Sequence, residues 1–111
     1  MSKIFAISST GKSLKSFLDL RFGKCENIVI CNSENKETEI FDNPFKYSDK
    51  SGVQLVKLLH KQGVKIIITG EVGPQVMSLL KKKKLQLALM HEEKIKIEEI
   101  IARISSNKQL L

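Results

Sequence analysis

Five short stretches of the chain have the apolar, β-branched pattern of strands. Residues 65–69 (KIIIT) form a continuous β-branched run, which is typical of a strand buried on both faces of a parallel sheet. Residues 27–31 (NIVIC) and the alternating residues 37–41 are separated by a polar turn, and this pattern predicts an antiparallel hairpin. Strands are predicted at 3–8, 27–31, 37–41, 65–69 and 85–90.

In three further stretches the apolar positions recur every three or four residues, as in helices that bury one face. Gly63 follows the first of these stretches where a helix stop is expected. Pro74 stands at the first position of the second, where proline is well tolerated. Helices are predicted at 51–62, 74–84 and 96–104. Residues 9–23 fit either a helix or a loop with a single turn.

The order of these elements predicts the architecture. Strands alternate with helices in the second half of the chain, which favours parallel pairing there, and the hairpin supplies antiparallel partners. We therefore predict an α/β fold with a mixed five-stranded sheet flanked by helices. The 111 residues suffice for one domain. We expect this domain to span residues 1–104 and residues 105–111 to form a frayed tail.

Composition and charge limit the classes of partner that the protein is expected to bind. The net charge of +7 favours an anionic partner, and a solvated lysine surface is the alternative explanation. Seventeen lysines against two arginines, with no tryptophan, provide poorly for base recognition, so nucleic acid is disfavoured. No apolar run approaches the roughly 18 residues of a membrane span, and the first residues lack the pattern of a signal peptide. We expect a cytoplasmic protein without a membrane partner.

Residues 6–13 (AISSTGKS) follow the first predicted strand and resemble a phosphate-binding loop. In such a loop Lys12 would contact the outer phosphates and Ser13 would hold magnesium. However, Ala6 replaces the first glycine and lies inside the apolar run, and no strand-terminal aspartate is available for the metal. Nucleotide binding at this segment is therefore the least favoured interpretation.

The segment RFGKC at residues 21–25 places a cysteine next to two cations. Arg21 and Lys24 are expected to favour the Cys25 thiolate, which would suit a metal or cluster ligand. Cys31 lies six residues further on, about 20 Å away along an extended segment. Because a disulfide needs Cα atoms within about 7 Å, we expect no bond between the two cysteines, and we expect Cys31 to be a small core residue or a thiol at the end of its strand.

The turn TGEVGP at residues 69–74 follows the KIIIT strand. In open α/β sheets, ligands bind just beyond the carboxyl ends of strands. Gly70 and Gly73, on either side of Glu71, allow a ligand to approach the backbone, and the helix that starts at Pro74 offers free amides to an anion. The turn is therefore a candidate binding site.

Two other side chains fall at strand ends, and neither provides for catalysis. His91 ends the last predicted strand, at the same sheet edge as the turn, and is a candidate ligand. Ser8 ends the first strand, where a two-metal nuclease would need an aspartate. His60 is expected at the edge of its helix. No paired carboxylates and no Ser/His/Asp set can be assigned, so we expect no enzymatic activity.

Taken in order, these motifs resemble the dinitrogenase iron–molybdenum cofactor biosynthesis family. The matching pieces are RFGKC at 21–25, NPF at 43–45, Gly52 at the start of a helix, and TGEVGP at 69–74. The resemblance implies a ribonuclease-H-like fold without nuclease activity. It also implies small proteins or domains that bind or carry the iron–molybdenum cofactor or its precursors, some relatives holding other molybdenum–sulfur clusters. Arg21 stands where some members have a histidine, so no ligating histidine is carried over.

The resulting hypothesis is a non-enzymatic carrier or accessory protein for an anionic iron–molybdenum-type or other metal–sulfur cluster. Proteins that donate or accept the cluster are implied as partners. The alternative is a basic module of the same fold that binds nucleic acid or a protein without a cluster. Cys25 and His91 are the candidate metal ligands. The predicted cofactor-binding residues are Ser8, Arg21, Phe22, Gly23, Lys24, Cys25, Gly70, Glu71, Gly73 and Pro74.

Overall fold

The computed structural model describes residues 3–92 and 94–106, with the backbone alone for the last two. This part of the chain contains every predicted strand and helix, with ends shifted by one or two residues. None of its helices is long and apolar enough to cross a bilayer. The elements are β1 (Ile4–Ser9), β2 (Asn27–Asn32), β3 (Thr38–Asp42), α1 (Ser51–Lys61), β4 (Ile66–Thr69), α2 (Pro74–Lys82), β5 (Gln86–Leu89) and α3 (Ile97–Ser106).

The helix ends follow local backbone chemistry. Gly63, just beyond α1, has φ +87°, which is the left-handed conformation expected of a glycine stop. Helix α2 ends two residues earlier than predicted, because Lys84 adopts φ +59° and turns the chain into β5. Helix α3 continues two residues past its predicted end. Of the predicted tail, residues 107–111 lie outside the described residues.

The sheet has the order β3-β2-β1-β4-β5. Strand β1 lies at its centre, antiparallel to β2 and parallel to β4, while β3 and β5 form the edges. The predicted small α/β domain with a mixed five-stranded sheet is thus confirmed. Its strand order is compatible with the ribonuclease-H-like fold that the resemblance implies.

Each face of the sheet has its own hydrophobic core because alternate side chains of a strand point to opposite faces. Ala6 and Ile67 pack with α1 and α2, where Leu55 and Leu59 are fully buried. On the other face Ile7 and its neighbours pack against isoleucines of α3. Burying a leucine of this kind contributes about 1.5–3 kcal/mol.

Residues 10–23 form a loop, so the loop alternative for this region is confirmed. The backbone of this loop bonds to residues far away in sequence instead of to its own next turn. The amide of Leu18 donates to the Ile95 carbonyl, and the amide of Ile97 donates to the Ser16 carbonyl, both at 2.9 Å. The amide of Asp19 donates to the carbonyl of Ser8 at the end of β1. These bonds direct residues 19–23 towards the carboxyl ends of the central strands.

Candidate functional site

A cleft of about 550 Å³ opens beyond the carboxyl end of β4, between the N-termini of α1 and α2. Three segments meet there: the loop before β2, the start of α1 and the β4–α2 turn. A smaller groove of about 350 Å³ adjoins it and shares part of its wall. The residues lining the larger cleft are Arg21, Phe22, Gly23, Lys24, Ser51, Gly52, Glu71, Val72, Gly73 and Val76.

Two glycines allow these segments to pack this closely. A Cβ atom on Gly23 would lie 2.6 Å from the backbone nitrogen of Gly52, and a Cβ on Gly52 would lie 2.6 Å from Val76 Cγ2. A short parallel bridge between Arg21 and Glu71 joins the loop to the β4–α2 turn. The cleft is therefore a consequence of backbone contacts between residues distant in sequence.

The positive ends of two helix dipoles face this cleft. Neither α1 nor α2 has a capping side chain or an acidic residue in its first turn. The described helical bonding begins with the amide of Gln54 in α1 and that of Met77 in α2, so the preceding amides have no partner within their helix. Because such amides and the dipole both favour negative charge, the geometry is suited to an anion.

Two cationic side chains line the same cleft. Arg21 lies 3.3 Å and 3.4 Å from the Asp19 carboxylate, and this hydrogen-bonded carboxylate raises the pKa of Arg21. Lys24 donates a hydrogen bond of 2.7 Å to the Ser48 carbonyl. Guanidinium and ammonium groups have five and three donors respectively, so both can also contact a ligand. Glu71, also in the lining, opposes an anion.

Four predicted cofactor-binding residues lie outside the lining of the larger cleft: Ser8, Gly70, Pro74 and Cys25. Ser8 is buried, and its hydroxyl lies 2.6 Å from the Asp19 carbonyl and 2.8 Å from the Thr69 hydroxyl. Gly70 is buried as well, and a Cβ there would lie 2.6 Å from Leu20 Cα. Pro74 lines only the adjoining groove. Ser8 and Gly70 thus take part in interior hydrogen bonding and packing instead of facing a ligand.

Cys25 lies in the hydrophobic core beside the cleft, not in its lining. Burial, followed by the charge of Asp19, raises the pKa of Cys25 to about 12. The expectation that Arg21 and Lys24 favour the thiolate is therefore wrong, because burial and the negative charge of Asp19 both disfavour it. Cys25 and Cys31 are both free, as predicted, and both are buried, which was expected only for Cys31. A ligand role for Cys25 stays a prediction, and it would require the thiol to leave the core.

His91 is exposed just after β5, and it does not line the cleft. Within the described part of the chain, no three His, Cys, Asp or Glu side chains are grouped so that they could hold a metal ion. The structure therefore brings together Arg21, Phe22, Gly23, Lys24, Glu71 and Gly73 of the predicted set, but not Cys25 with His91. His60 is exposed at the end of α1, as expected.

Residues 6–13 do not form a phosphate-binding loop. Residues 6–9 belong to β1, and no helix follows them before β2. The Lys12 side chain is 74% exposed and lies 3.4 Å from the Asp42 carboxylate instead of pointing into a nest of amides. The nucleotide-binding interpretation is therefore wrong.

The sequence reasoning missed four lining residues: Ser51, Gly52, Val72 and Val76. Gly52 stood out only as the start of a helix within a family pattern. Its place in the site depends on contact with Gly23, 29 positions earlier, and no local pattern reports that contact. A pair of uncapped predicted helix starts was the one local signal available.

Comparison with known proteins gives one family and several related folds. A model of the family described as dinitrogenase iron–molybdenum cofactor matches residues 1–107. The apo form of the orange protein from Desulfovibrio gigas has a TM-score of 0.82 and 23% identity, covering 91% of this chain and 85% of that one. A Thermotoga protein described as a candidate NifB has a TM-score of 0.79 and 25% identity, covering 96% and 90%.

A third structure, of a candidate dinitrogenase from Methanocaldococcus jannaschii, has a TM-score of 0.68 and 17% identity, covering 97% of this chain and 92% of that one. No curated protein matches the sequence. These three similarities cover 91%, 96% and 97% of this chain.

Proposed function

The chain belongs to the dinitrogenase iron–molybdenum cofactor family, and we propose that it binds an anionic iron–molybdenum-type or related metal–sulfur cluster as cargo in the cleft between α1 and α2. In this proposal it is a carrier or accessory protein with no catalytic activity of its own. One observation carries the proposal: two uncapped helix N-termini flank a single cleft that also contains Arg21 and Lys24.

The groups in the cleft suit an anion better than they suit a ligated metal. Backbone amides, a guanidinium and an ammonium group can donate hydrogen bonds to the sulfur and oxygen atoms of an anionic cluster. The lining contains no thiolate and no imidazole. We therefore propose that charge and hydrogen bonds hold the cluster, without a metal–protein bond. Such binding can be reversed without breaking a coordinate bond, as a carrier requires.

The apolar part of the lining supports the same proposal. Phe22, Val72 and Val76 form one wall of the cleft. A wall of low dielectric strengthens the field of nearby charges and amides, because less water screens them. The two free cysteines fit a reducing compartment, and we propose the cytoplasm. Donor and acceptor proteins for the cluster are part of the proposal.

The test is an anaerobic titration with isolated iron–molybdenum cofactor, followed by gel filtration and a count of molybdenum per chain. We expect molybdenum to co-elute at about one per chain or per dimer. The Arg21→Gln variant should retain less, whereas Lys36→Gln, a matched exposed lysine in the β2–β3 turn, should retain as much as the wild type. Clean separation of molybdenum from the protein, or equal loss in both variants, would contradict the proposal.

A further inference from the structure

The net charge of the chain comes from one segment. Residues 50–84 contain eight lysines and a single acidic residue, Glu71. Residues 1–49 contain seven basic and seven acidic residues, and residues 85–111 contain four of each. The segment 50–84 comprises α1, β4 and α2. Four of the eight lysines lie within the two helices and Lys50 and Lys83 cap them, so most of the excess positive charge lies on or at the ends of these helices.

Four of these lysines line grooves along the two helices. One groove, of about 400 Å³, lies between α1 and α2 and is lined by Lys57 and Lys82 among others. A second, of about 560 Å³, shares Lys57 and adds Lys61 and Lys83 near the C-terminal ends of the helices. We refer to Lys57, Lys61, Lys82 and Lys83 as the lysine groove. The cluster cleft lies at the opposite, N-terminal ends of the same helices.

Between these lysines the grooves have an apolar floor. Val53 and Leu79 line the first groove, and Phe45 and Leu58 line the second. Each of these side chains is partly buried, so some apolar surface remains accessible. The combination of an aliphatic floor and cationic edges suits a segment with acidic and apolar residues on the same face.

The stability of the helices accounts for three of these lysines but not for Lys57. Cations near a helix C-terminus are favoured by the dipole, which accounts for Lys61, Lys82 and the C-cap residue Lys83. Lys57 lies a full turn before the end of α1, and its spacing of four from Lys61 places two like charges side by side, which is unfavourable. None of the four lysines forms an ion pair with a carboxylate of a described residue, whereas Lys12 and Lys15 elsewhere do.

We infer that the lysine groove docks an acidic, amphipathic segment of a partner protein. Charge complementarity supplies long-range attraction, and the aliphatic floor supplies the pocket for an apolar anchor. The four lysines do not line the cluster cleft, although the first groove shares Val53 with the smaller groove that adjoins the cleft. The inference does not depend on what the cleft holds. A protein docked there would lie alongside both helices whose N-termini form the cleft.

A protein segment fits this surface better than a nucleic acid does. The two groove linings contain one phenyl ring, Phe45, and one imidazole, His60, both in the second groove, and no arginine is present in either lining. Single-stranded nucleic acids are held by rows of aromatic stacking partners, and phosphates are most often bound in a bidentate manner by arginine. A phosphate backbone would make no contact with the apolar side chains of the two grooves, whereas an apolar side chain of a peptide would.

The test uses three fluorescent probes and anisotropy at about 50 and about 200 mM NaCl. The first is a synthetic peptide of about 18 residues with glutamates and with leucines at helical spacing. The second is the same peptide with serine for leucine, and the third is an oligodeoxythymidine of similar length. We expect the leucine peptide to bind best and its affinity to fall as salt rises.

The variants separate the groove from net charge alone. Lys57→Glu/Lys82→Glu should weaken binding of the leucine peptide about tenfold or more. Lys36→Glu/Lys94→Glu makes the same change in net charge at exposed lysines outside the groove, and it should weaken binding less than about twofold. The groove variant should still retain the cluster as the wild type does, so failure here and failure at the cleft are distinguishable.

Three results would overturn the inference. Equal losses of affinity in the two double variants would show that net charge alone accounts for binding of the peptide. Equal affinities for the leucine and serine peptides would remove the apolar anchor. Tighter binding of the oligodeoxythymidine than of the leucine peptide, lost in Lys57→Glu/Lys82→Glu, would assign the groove to nucleic acid.

Discussion

Gly73 offers a substitution that should stabilise the fold while it blocks the cleft. It is the N-cap residue of α2, with φ −75° and ψ 170°, which is the extended conformation that aspartate and asparagine adopt at this position. A Cβ built on Gly73 meets no atom within 4 Å. An introduced side chain can therefore bond to the free amides of the first turn, which are the groups we propose for the anion.

The two effects of Gly73→Asp have opposite signs. An aspartate cap gains a few tenths of a kcal/mol over glycine, and its charge at the helix N-terminus adds about 0.3–1 kcal/mol. Together these raise the melting temperature by about 2–4 °C for a chain of this length. A carboxylate about 5 Å from a bound anion, at an effective dielectric constant of about 20, repels it by about 3 kcal/mol per unit charge. Because Gly73 is exposed, screening leaves about 1–2 kcal/mol, or roughly a tenfold loss of affinity.

The assay compares Gly73→Asp with Gly73→Asn, which has nearly the same shape and the same capping ability without the charge. Thermal unfolding and the anaerobic cofactor titration are measured on both variants and on the wild type. We expect both variants to melt at a higher temperature and to bind the cofactor more weakly than the wild type, because both caps occupy first-turn amides, with Gly73→Asp weaker than Gly73→Asn by about tenfold because of its charge. Equal retention in the two variants would refute the reasoning that the anion lies at the start of α2.

Three further predictions concern substitutions of Gly70, Cys25 and Arg21. Gly70→Ala should lower the free energy of unfolding by about 1–3 kcal/mol in urea titrations, because its Cβ would collide with the Leu20 backbone, whereas Gly73→Ala should lower it by less than about 1 kcal/mol, through weaker capping alone. Cys25→Ala should leave cofactor retention unchanged. In pH-dependent urea titrations, the wild type should lose stability relative to Cys25→Ala by about 1.4 kcal/mol per unit between about pH 9.5 and 11. Arg21→Gln should weaken cofactor binding about threefold to tenfold in the same anaerobic titration.

The sign of the pH effect follows from the direction of the Cys25 shift. Burial raises the pKa of Cys25 in the folded state to about 12, above that of the unfolded chain. Stability from the neutral thiol is therefore complete below about pH 9 and is lost as the pH rises towards 12. Parallel curves for the wild type and Cys25→Ala would contradict the burial argument.

A loss of cofactor in Cys25→Ala would restore the thiol as a ligand, and unchanged binding in Arg21→Gln would remove the guanidinium from the site.

The elements of the fold could be predicted because each carries its own signal. The run at residues 65–69 and the glycine stop at Gly63 identify a strand and a helix end without reference to the rest of the chain. Residues 10–23 carry no such signal, since their backbone partners are residues such as Ile95. The sequence therefore leaves a helix and a loop as alternatives for this region, and the long-range backbone hydrogen bonds of the structure decide for the loop.

The site could be predicted only in part, for the same physical reason. The charged neighbours of Cys25 are visible in the sequence, but the burial that sets its pKa depends on how the loop and β2 pack. Likewise Gly23 is visible as a glycine, whereas its contact with α1 is not. The concentration of lysines between residues 50 and 84, by contrast, needs no structure to be counted, although only the structure places those lysines around one pair of grooves.

The two-faced core also has a consequence for the order in which the protein forms during synthesis. Every residue that lines the cleft precedes residue 77, and the face of the sheet behind it is closed by α1 and α2. The opposite face is covered by isoleucines of α3, which leave the ribosome last. A nascent chain can therefore place the helices on one side of its cleft while Ile7, Val29 and Ile68 are still exposed to water, but the loop that leads to Arg21 gains its backbone partners at Ile95 and Ile97 only afterwards. Until α3 arrives, this apolar face is open to chaperones and to other nascent chains.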